Sequence, residues 1–230
     1  MAESSTSNMI SSIAAGPFGQ WLAETHAALR GNGGTNVPCG DCRGCCISSY
    51  FIPLRPQDAA AAAKVPQEFL VAAPGLAPGH RMMGYLPDGL CPMLKVGQCS
   101  IYSERPQTCR DYDCRIFAAA GIKAGAGKEV INRRIREWLF TYPTQLDRRM
   151  HDAVLAAAAF IQKKNSSFQG WRAPTAPTGI AVLAVKAYTV FLDTDMQTKT
   201  DAEIAAAVIN ANRLFDAAPV DSPLASVPST

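Results

Sequence analysis

Cysteine placement is the feature of this sequence that predicts chemistry. All 8 cysteines lie between Cys39 and Cys114 of the 230-residue chain, and the rest of the sequence contains none. The first four form a compact C-x2-C-x2-C-C run that consists of Cys39, Cys42, Cys45 and Cys46. Two residues between thiolates allow both sulfurs to reach one metal ion, as in zinc knuckles and iron-sulfur loops. This run therefore predicts metal coordination.

The other four cysteines are widely spaced. They are Cys91, Cys99, Cys109 and Cys114, and they contain no second C-x2-C knuckle. A simple zinc ribbon is built from two such knuckles, so we do not expect one here. We expect these four ligands to come from separate turns and to meet the first four in space.

The adjacent pair Cys45 and Cys46 bears on the number of centres. Neighbouring side chains generally diverge, so these two thiols are expected to serve different centres or to bridge two metals. Eight thiols leave three arrangements open. They can form two four-sulfur sites, one polynuclear centre with bridging sulfurs, or one four-sulfur site accompanied by four other thiols.

The spacing determines the metal only in part. Soft thiolates bind zinc and iron-sulfur clusters alike. The C-x2-C-x2-C run and the Cys91-Pro92 dipeptide are similar to bacterial ferredoxin ligation, although in ferredoxins the Cys-Pro follows three residues after the run. We therefore expect an iron-sulfur cluster, such as 4Fe-4S, ahead of Zn²⁺, and both stay open.

A disulfide framework is the alternative use of eight cysteines. Such frameworks stabilise short secreted chains, whereas this chain is long, 48% hydrophobic and able to build a core. Residues 1–16 lack the basic segment of a secretory signal. The most apolar run, 180–192, is too short for a membrane span and contains Lys186. We therefore expect reduced thiols, a cytoplasmic protein and no membrane partner.

The residues around the cysteines resemble a known family. The C-x2-C-x2-C-C run is followed by Cys91-Pro92-x-Leu94, then by Gly97-x-Cys99-x-Ile101-Tyr102, and then by Arg105-Pro106-x-x-Cys109-Arg110-x-Tyr112-x-Cys114. This pattern resembles the YkgJ-type cysteine cluster family over about residues 39–114, with all eight cysteine positions. The resemblance implies a zinc- or iron-chelating domain. Flagellin lysine N-methylases are similar in a related cysteine domain, so the resemblance also leaves modification chemistry open.

Four other residues of this block are candidate contacts to a bound cofactor. They are Arg105, Arg110, Tyr102 and Tyr112. Because thiolate-rich centres carry negative charge, we expect the arginines to orient and stabilise the centre, with recognition of an anionic substrate as the alternative. We expect the tyrosines to pack, with gating of a pocket or proton donation as the alternative.

The remaining potential ligands are expected to have ordinary roles. His80 precedes Cys91 and could replace a cysteine, but we expect a plain surface or core position for it, as for His26 and His151. Carboxylates are poor partners for a soft thiolate metal. We therefore expect Asp111 and Asp113 on the solvated surface.

Helices are predicted on both sides of the cysteine region. The first is expected from Pro17 to about Arg30. The others, in chain order, are a helix through Ile131, Ile135, Trp138 and Leu139 that ends before Pro143, a helix capped by Thr144, an apolar helix or buried strand at 180–192, and a helix opened by a Thr200–Glu203 capping box. The predicted fold class is mainly α, with an irregular Cys-rich metal-binding module packed against the flanking helices.

The chain is expected to divide into four parts. These are an N-terminal helix and linker at 1–38, the cysteine-cluster module at 39–114, a helical region at 115–216 and a disordered tail at 217–230. Residues 115–172 contain 11 Lys and Arg against 4 Asp and Glu. Such a segment can meet RNA, and its contacts would be Arg133, Arg134, Arg136, Arg148 and Arg149. No nucleic-acid module signature accompanies these charges, so we expect a solvated face and no nucleic-acid partner.

The sequence predicts a cytosolic metal-binding protein that holds an iron-sulfur cluster or zinc through eight cysteine thiolates. The alternative is a metal- or iron-sulfur-dependent enzyme that modifies a small-molecule, peptide or protein substrate. The sequence contains no nucleophile elbow, P-loop, H-E-x-x-H or Rossmann glycine motif, so no catalytic residue is assigned.

Overall fold

The computed structural model describes residues 12–31, 33–35, 37–192, 195 and 198–219. The α-helices are α1 (Phe18–Leu29), α2 (Ala59–Lys64), α3 (Gln107–Asp111), α4 (Arg115–Ala119), α5 (Glu129–Glu137), α6 (Gln145–Lys163), α7 (Pro177–Ala187) and α8 (Asp201–Ala217). The strands are β1 (Ile13–Pro17), β2 (Ile52–Leu54), β3 (Leu70–Ala72), β4 (Arg81–Met83), β5 (Leu94–Lys95), β6 (Gln98–Cys99) and β7 (Trp138–Thr141). The mainly α prediction is confirmed. Residues 220–230 of the predicted tail lie outside the described residues.

The larger hydrophobic core lies among α1, α4, α6, α7 and α8, and we call it the main core. Its largest fully buried side chains include Phe18, Trp21 and Phe117. The predicted caps of α6 and α8 are present, because Thr144 accepts a hydrogen bond from the Asp147 amide and Thr200 accepts one from the Glu203 amide. Each cap satisfies an amide that has no partner within its own helix.

A short parallel pairing of β1 with β7 corrects one predicted helix. Ile13 pairs with Trp138, so the helix through Ile131 ends at Glu137 and does not include Trp138 or Leu139. Burial alternates along β7: Trp138 is 5% exposed and Leu139 is 55% exposed. That period of two is typical of a strand with one buried face, and the helical interpretation of these residues was wrong.

A second, smaller core lies within the cysteine region, and we call it the small core. The antiparallel sheet β2-β4-β3 and helix α2 supply residues to it, including Leu54, Ala61 and Met83. Strands β5 and β6 form a two-stranded hairpin nearby. The sequence predicted an irregular module here, so these strands were missed.

The apolar run 180–192 is helical. It is formed by α7 and by the 3-10 helix Tyr188–Leu192. Of the two predicted alternatives, the helix is confirmed and the buried strand is wrong. Among the described residues, no helix combines the length and hydropathy needed to cross a membrane.

Candidate metal centre

All eight cysteine side chains line one cavity of about 660 Å³. Every one of them is a free thiol. The widely spaced cysteines come from the loop before β5, from β6, from α3 and from the N-terminal boundary of α4. The two groups of cysteines therefore meet in space, as the sequence analysis expected.

The first cysteine run folds tightly, and its two glycines have different roles. Gly40 has a φ of 56°, in the left-handed region that glycine adopts without steric cost, and the Cys42 amide then donates to the Cys39 carbonyl at 3.0 Å. Gly44 leaves room for a neighbour, because a Cβ there would lie 2.9 Å from Cγ1 of Ile131 on α5. The Gly44 amide also donates to Cys42 Sγ at 3.4 Å.

Backbone hydrogen bonds bring the later cysteines to this run. The Cys91 amide donates to the Cys46 carbonyl at 2.8 Å, which ties the two groups together. Hairpin β5–β6 pairs Leu94 with Cys99, and Cys109 lies in the first turn of α3 with its amide bonded to the Pro106 carbonyl. Each of these cysteines is positioned by a different local turn.

We expected the adjacent thiols of Cys45 and Cys46 to diverge, but they lie close together. Cys45 Sγ and Cys46 Sγ are 3.9 Å apart. Two sulfurs that share a tetrahedral zinc ion at Zn–S distances of about 2.3 Å are separated by about 3.8 Å. The 3-10 helix Gly44–Ile47, which contains both residues, therefore holds them at a separation that suits either one shared ion or two touching centres.

Burial and mutual repulsion make most of these thiols poor acids. Burial, and after it the charges of neighbouring thiolates, raises the pKa of Cys39 to about 11 and that of Cys109 to about 12. Burial likewise raises the pKa of Cys114 to about 12. A hydrogen bond from the Cys46 thiol lowers the pKa of Cys45 to about 7, whereas the pKa of Cys46 is raised. A metal ion would replace these protons, because a coordinating thiol is deprotonated.

Hydrogen-bond donors and cations face the sulfurs. The indole N–H of Trp138 donates to Cys114 Sγ at 3.2 Å, and the Arg134 guanidinium donates to the Cys42 thiol. From the sequence, we expected Trp138 in a helix and Arg134 among the candidate RNA contacts, so both roles were missed. Arg134 also pairs with Asp41 and Glu137, and its side chain is only 14% exposed. It is a partly buried partner of the cysteine loop.

A buried ion pair lies directly beside Cys114. Asp113 is 6% exposed and Arg115 is 5% exposed, so the prediction that Asp113 is a solvated surface residue was wrong. Asp113 accepts from Arg115 at 2.8 Å and from the Trp21 indole at 2.9 Å, and Arg115 donates to the Ala15 carbonyl at 3.1 Å. Burial of a carboxylate is tolerable here because it is paired and hydrogen-bonded. Asp111 is more exposed and pairs with Arg55.

The four candidate cofactor contacts take different positions. Arg105, Tyr102 and Tyr112 line the cavity, and the Arg105 guanidinium lies 4.1 Å from the centre of the Tyr102 ring. Arg110 is not among the lining residues, because its side chain donates to the backbone carbonyls of Arg105 and Ser103. Burial raises the pKa of Tyr112, whose ring packs 5.1 Å from that of Tyr50.

The side chains that line the cavity supply sulfur atoms, which are suitable ligands for a soft metal. The cavity is lined by eight thiols and by no histidine, because His80 bonds to the Ala77 carbonyl outside it. Among the described residues, no three His, Cys, Asp or Glu side chains lie close enough together to hold one ion. Thiolates are the ligands that zinc and iron-sulfur clusters select. The thiols surround the space for such a group and would have to draw inward to bind it.

The comparisons with known proteins agree with this chemistry. Residues 38–120 match the family model CxxCxxCC, described as "Putative zinc- or iron-chelating domain". Searches of the curated proteins and of the solved structures found no match. The match contains all eight cysteines and confirms the resemblance that the residues around them indicated. Residues 38–120 of this chain are therefore similar to the zinc- or iron-chelating domains that this family model describes.

Proposed function

We propose that this protein binds an iron-sulfur cluster or zinc through its eight cysteine thiolates. The observation that carries the proposal is that all eight thiols line one cavity although they come from five separate local structures of the chain. Eight cysteines scattered for packing alone would have no reason to share one cavity. Soft ligands in that number favour iron-sulfur or zinc chemistry over calcium or magnesium.

The charges around the cavity support an anionic thiolate centre. A hydrogen bond from Cys46 lowers the pKa of Cys45, and burial raises the pKa of Cys109. The charge of Arg105, which lines the cavity, has a smaller effect that lowers the pKa of both thiols. Arg134 donates to Cys42 from α5. Such groups orient ligands and offset the negative charge that several thiolates accumulate. We propose this role for Arg105, with Tyr102 packed beneath its guanidinium.

We also infer that the cysteine module, at about 39–114, packs against the helices on both sides. The close approach of Gly44 to Ile131 supports contact with α5, and the Trp138 bond to Cys114 supports contact with β7. Metal binding would then stabilise the module and the helices together, because binding energy in such sites is also folding energy. Reduced thiols also suit the cytoplasm, which we propose as the compartment.

Anaerobic purification followed by metal analysis and absorption spectroscopy tests this function. We expect iron with acid-labile sulfide and a brown chromophore, or zinc in a colourless protein. Cys42→Ser should lower the metal content. Ser103→Ala is the control: Ser103 is exposed and does not line the cavity, so its replacement should leave the metal content unchanged. If the wild-type chain contains no metal and takes none up after reduction, the proposal is wrong.

The size of the cavity favours a second candidate function. About 660 Å³ is within the range of small-molecule pockets and exceeds the space of one metal ion. A metal-dependent enzyme that acts on a small molecule or peptide would keep one coordination position open. Added imidazole should then change the visible spectrum of the Co²⁺-loaded protein. An unchanged spectrum favours a closed, purely thiolate site.

A further inference from the structure

We propose that the adjacent thiols of Cys45 and Cys46 are a site of reversible oxidation, at which a hydroperoxide joins the two sulfurs in a disulfide between neighbouring residues. The oxidation itself needs no metal. Its consequence, that the oxidised chain binds less metal, rests on the proposed function. The site can therefore be tested in a reaction to which metal binding contributes nothing.

The two sulfurs already lie close together. Cys45 Sγ and Cys46 Sγ are 3.9 Å apart, and one of the two thiols donates a hydrogen bond to the other. In the part of the chain that the structure describes, no other two cysteine thiols hydrogen-bond to each other, although all eight line the same cavity. Because the sulfurs of a disulfide are about 2.0 Å apart, this pair needs only a short approach to form one. It is the pair that a mild oxidant should join first.

Solvent reaches one member of the pair more freely than the other. Cys45 is exposed, whereas Cys46 and the remaining cysteines are partly or fully buried. Oxidation of cysteines is selective for accessible thiols, and a sensor cysteine often has a resolving cysteine beside it. Cys45 thus has the position of the thiol that meets the oxidant, and Cys46 has the position of the resolving thiol.

The reaction balances with one hydroperoxide. The Cys45 thiolate attacks a peroxide oxygen, the O–O bond breaks, and a sulfenic acid forms while the other oxygen leaves with a proton as an alcohol or as water. The Cys46 thiolate then attacks the sulfenic sulfur, so that the S–S bond forms and the S–O bond breaks. The hydroxide that leaves takes up the proton of the Cys46 thiol and becomes water. Each sulfur loses one electron, and each peroxide oxygen gains one.

Strain makes this bond easy to reverse. The α-carbons of adjacent residues in a trans peptide are about 3.8 Å apart, which is less than the ~4.4–6.8 Å that is usual across a disulfide. The 3-10 helix Gly44–Ile47 must also adjust, because the Cys46 amide donates to the Arg43 carbonyl at 2.9 Å within it. Strained disulfides are reduced more readily than relaxed ones. A thiol reductant should therefore restore both thiols.

Oxidation removes two neighbouring ligands from the cavity. The thiolate is the form of cysteine that binds a metal, and a sulfur within a disulfide has no thiolate form. The bond would also form where the two groups of cysteines are tied together, since the Cys91 amide donates to the Cys46 carbonyl at 2.8 Å. The oxidised chain should therefore take up less metal than the reduced chain, and a bound metal should protect both sulfurs from oxidation.

Peptide mapping locates the bond. The full chain is reduced, freed of metal anaerobically and treated with one equivalent of hydrogen peroxide, and the remaining thiols are then alkylated. Trypsin cleavage after Arg43 and Lys64 gives a peptide that contains Cys45 and Cys46 and no other cysteine. We expect this peptide without alkylation and lighter by two hydrogen atoms than its reduced form, and dithiothreitol should restore both thiols. A bond from Cys45 to a cysteine of another peptide, or a sulfinic acid at Cys45, overturns the proposal.

A serine variant and an unfolded sample test the role of the pair. In Cys46→Ser, oxidation of Cys45 should stop at the sulfenic acid, which dimedone traps. Cys99→Ser is the matched control, because Cys99 is also partly buried and lines the cavity but lies outside the pair, so the bond should still form. In urea, the wild-type chain should spread its oxidation over several pairs of cysteines. If the unfolded chain forms the Cys45–Cys46 bond as readily as the folded chain, the fold does not select this pair and the inference is wrong.

Zinc uptake separates this inference from the proposed function. Native mass spectrometry counts the zinc ions that the reduced chain and the oxidised chain bind. We expect fewer ions after oxidation and a full recovery after reduction, and equal uptake by the two forms would overturn this consequence. A reduced chain that binds no zinc but forms the bond overturns the proposed function and leaves the oxidation site. A reduced chain that binds zinc but forms no bond between Cys45 and Cys46 overturns the oxidation site alone.

Discussion

Trp138 donates its indole N–H to the sulfur of Cys114 at 3.2 Å. The donor lies on β7, which pairs with β1 next to α1, and the acceptor precedes α4. One sulfur of the candidate centre is thus oriented by a side chain of the main core, about 24 residues away in sequence. Hydrogen bonds of this kind set the orientation and basicity of a ligand.

Replacement of this indole should weaken metal binding while the fold is kept. Trp138→Phe keeps a buried aromatic ring and removes the N–H donor that lowers the pKa of Cys114. We expect a loss of about 10-fold in metal affinity, the lower end of what partners of ligands contribute. Competition with a chromophoric chelator measures it.

Trp171→Phe is the matched control for that variant. Trp171 packs against Phe168 and does not line the cysteine cavity. Its replacement should leave metal affinity unchanged. Equal affinities for the wild-type chain and Trp138→Phe would show that the hydrogen bond to Cys114 does not matter for binding.

The buried ion pair beside Cys114 should contribute strongly to stability. Asp113→Ala removes the carboxylate that balances the buried Arg115 charge and accepts from Trp21. Breaking one partner of a buried pair costs about 3–5 kcal/mol. Urea denaturation should therefore show a large fall in the free energy of unfolding. Asp111→Ala, which affects the more exposed pair with Arg55, should cost at most about 1 kcal/mol; equal costs would contradict this account.

Gly44 should tolerate alanine poorly because α5 lies against it. The added Cβ would approach Ile131 at 2.9 Å, and overpacking of this kind costs about 1–3 kcal/mol. The melting temperature of Gly44→Ala should fall accordingly. Gly84→Ala is the control, because its Cβ would meet only ordinary contacts near Phe69 at 3.6 Å or more. A variant at Gly44 as stable as the wild-type chain would argue against this packing.

His26 should make stability depend on pH. Burial, followed by the charges of Arg30 and Lys186, lowers the pKa of His26 to about 4 despite its bond to the Val185 carbonyl. The unfolded chain protonates this imidazole near pH 6.5, so it binds more protons than the folded chain between about pH 6.5 and 4. Stability contributed by the neutral ring is complete above pH 6.5 and is lost as the pH falls to about 4.

The comparison with His26→Gln isolates this effect. Between pH 7 and pH 4.5 the wild-type chain should lose about 2 kcal/mol more of its free energy of unfolding than the variant, by the linkage of a pKa shift to stability. Changes in metal binding over the same range affect both proteins and cancel in the difference. Parallel pH profiles for the two proteins would mean that His26 titrates normally in the folded state.

The sequence predicted features that depend on neighbouring residues. The caps at Thr144 and Thr200 follow from a residue three positions later, and the C-x2-C-x2-C-C run carries its own geometry. The eight candidate ligands and the family resemblance could also be predicted, because both depend on short sequence patterns. A few residues in order were enough to identify them.

The features that were missed depend on contacts between distant residues. Ile13 pairs with Trp138, which is far away in the sequence, so the residues of β7 seemed to continue the helix before them. Burial of Asp113 requires Arg115 together with Trp21, 92 residues away. A local sequence pattern contains no information about such distant partners. For the same reason, the sequence did not predict that Cys114 lies in the main core whereas Cys46 packs against the small core.

The most direct test of thiolate metal binding is X-ray absorption at the edge of the metal that copurifies with the anaerobically prepared chain. We predict a first shell made of sulfur alone, at about 2.3 Å if the metal is zinc. The serine variant of Cys42 should lose part of that metal. A first shell of oxygen and nitrogen at about 2.0–2.1 Å, with no sulfur, would contradict the central claim.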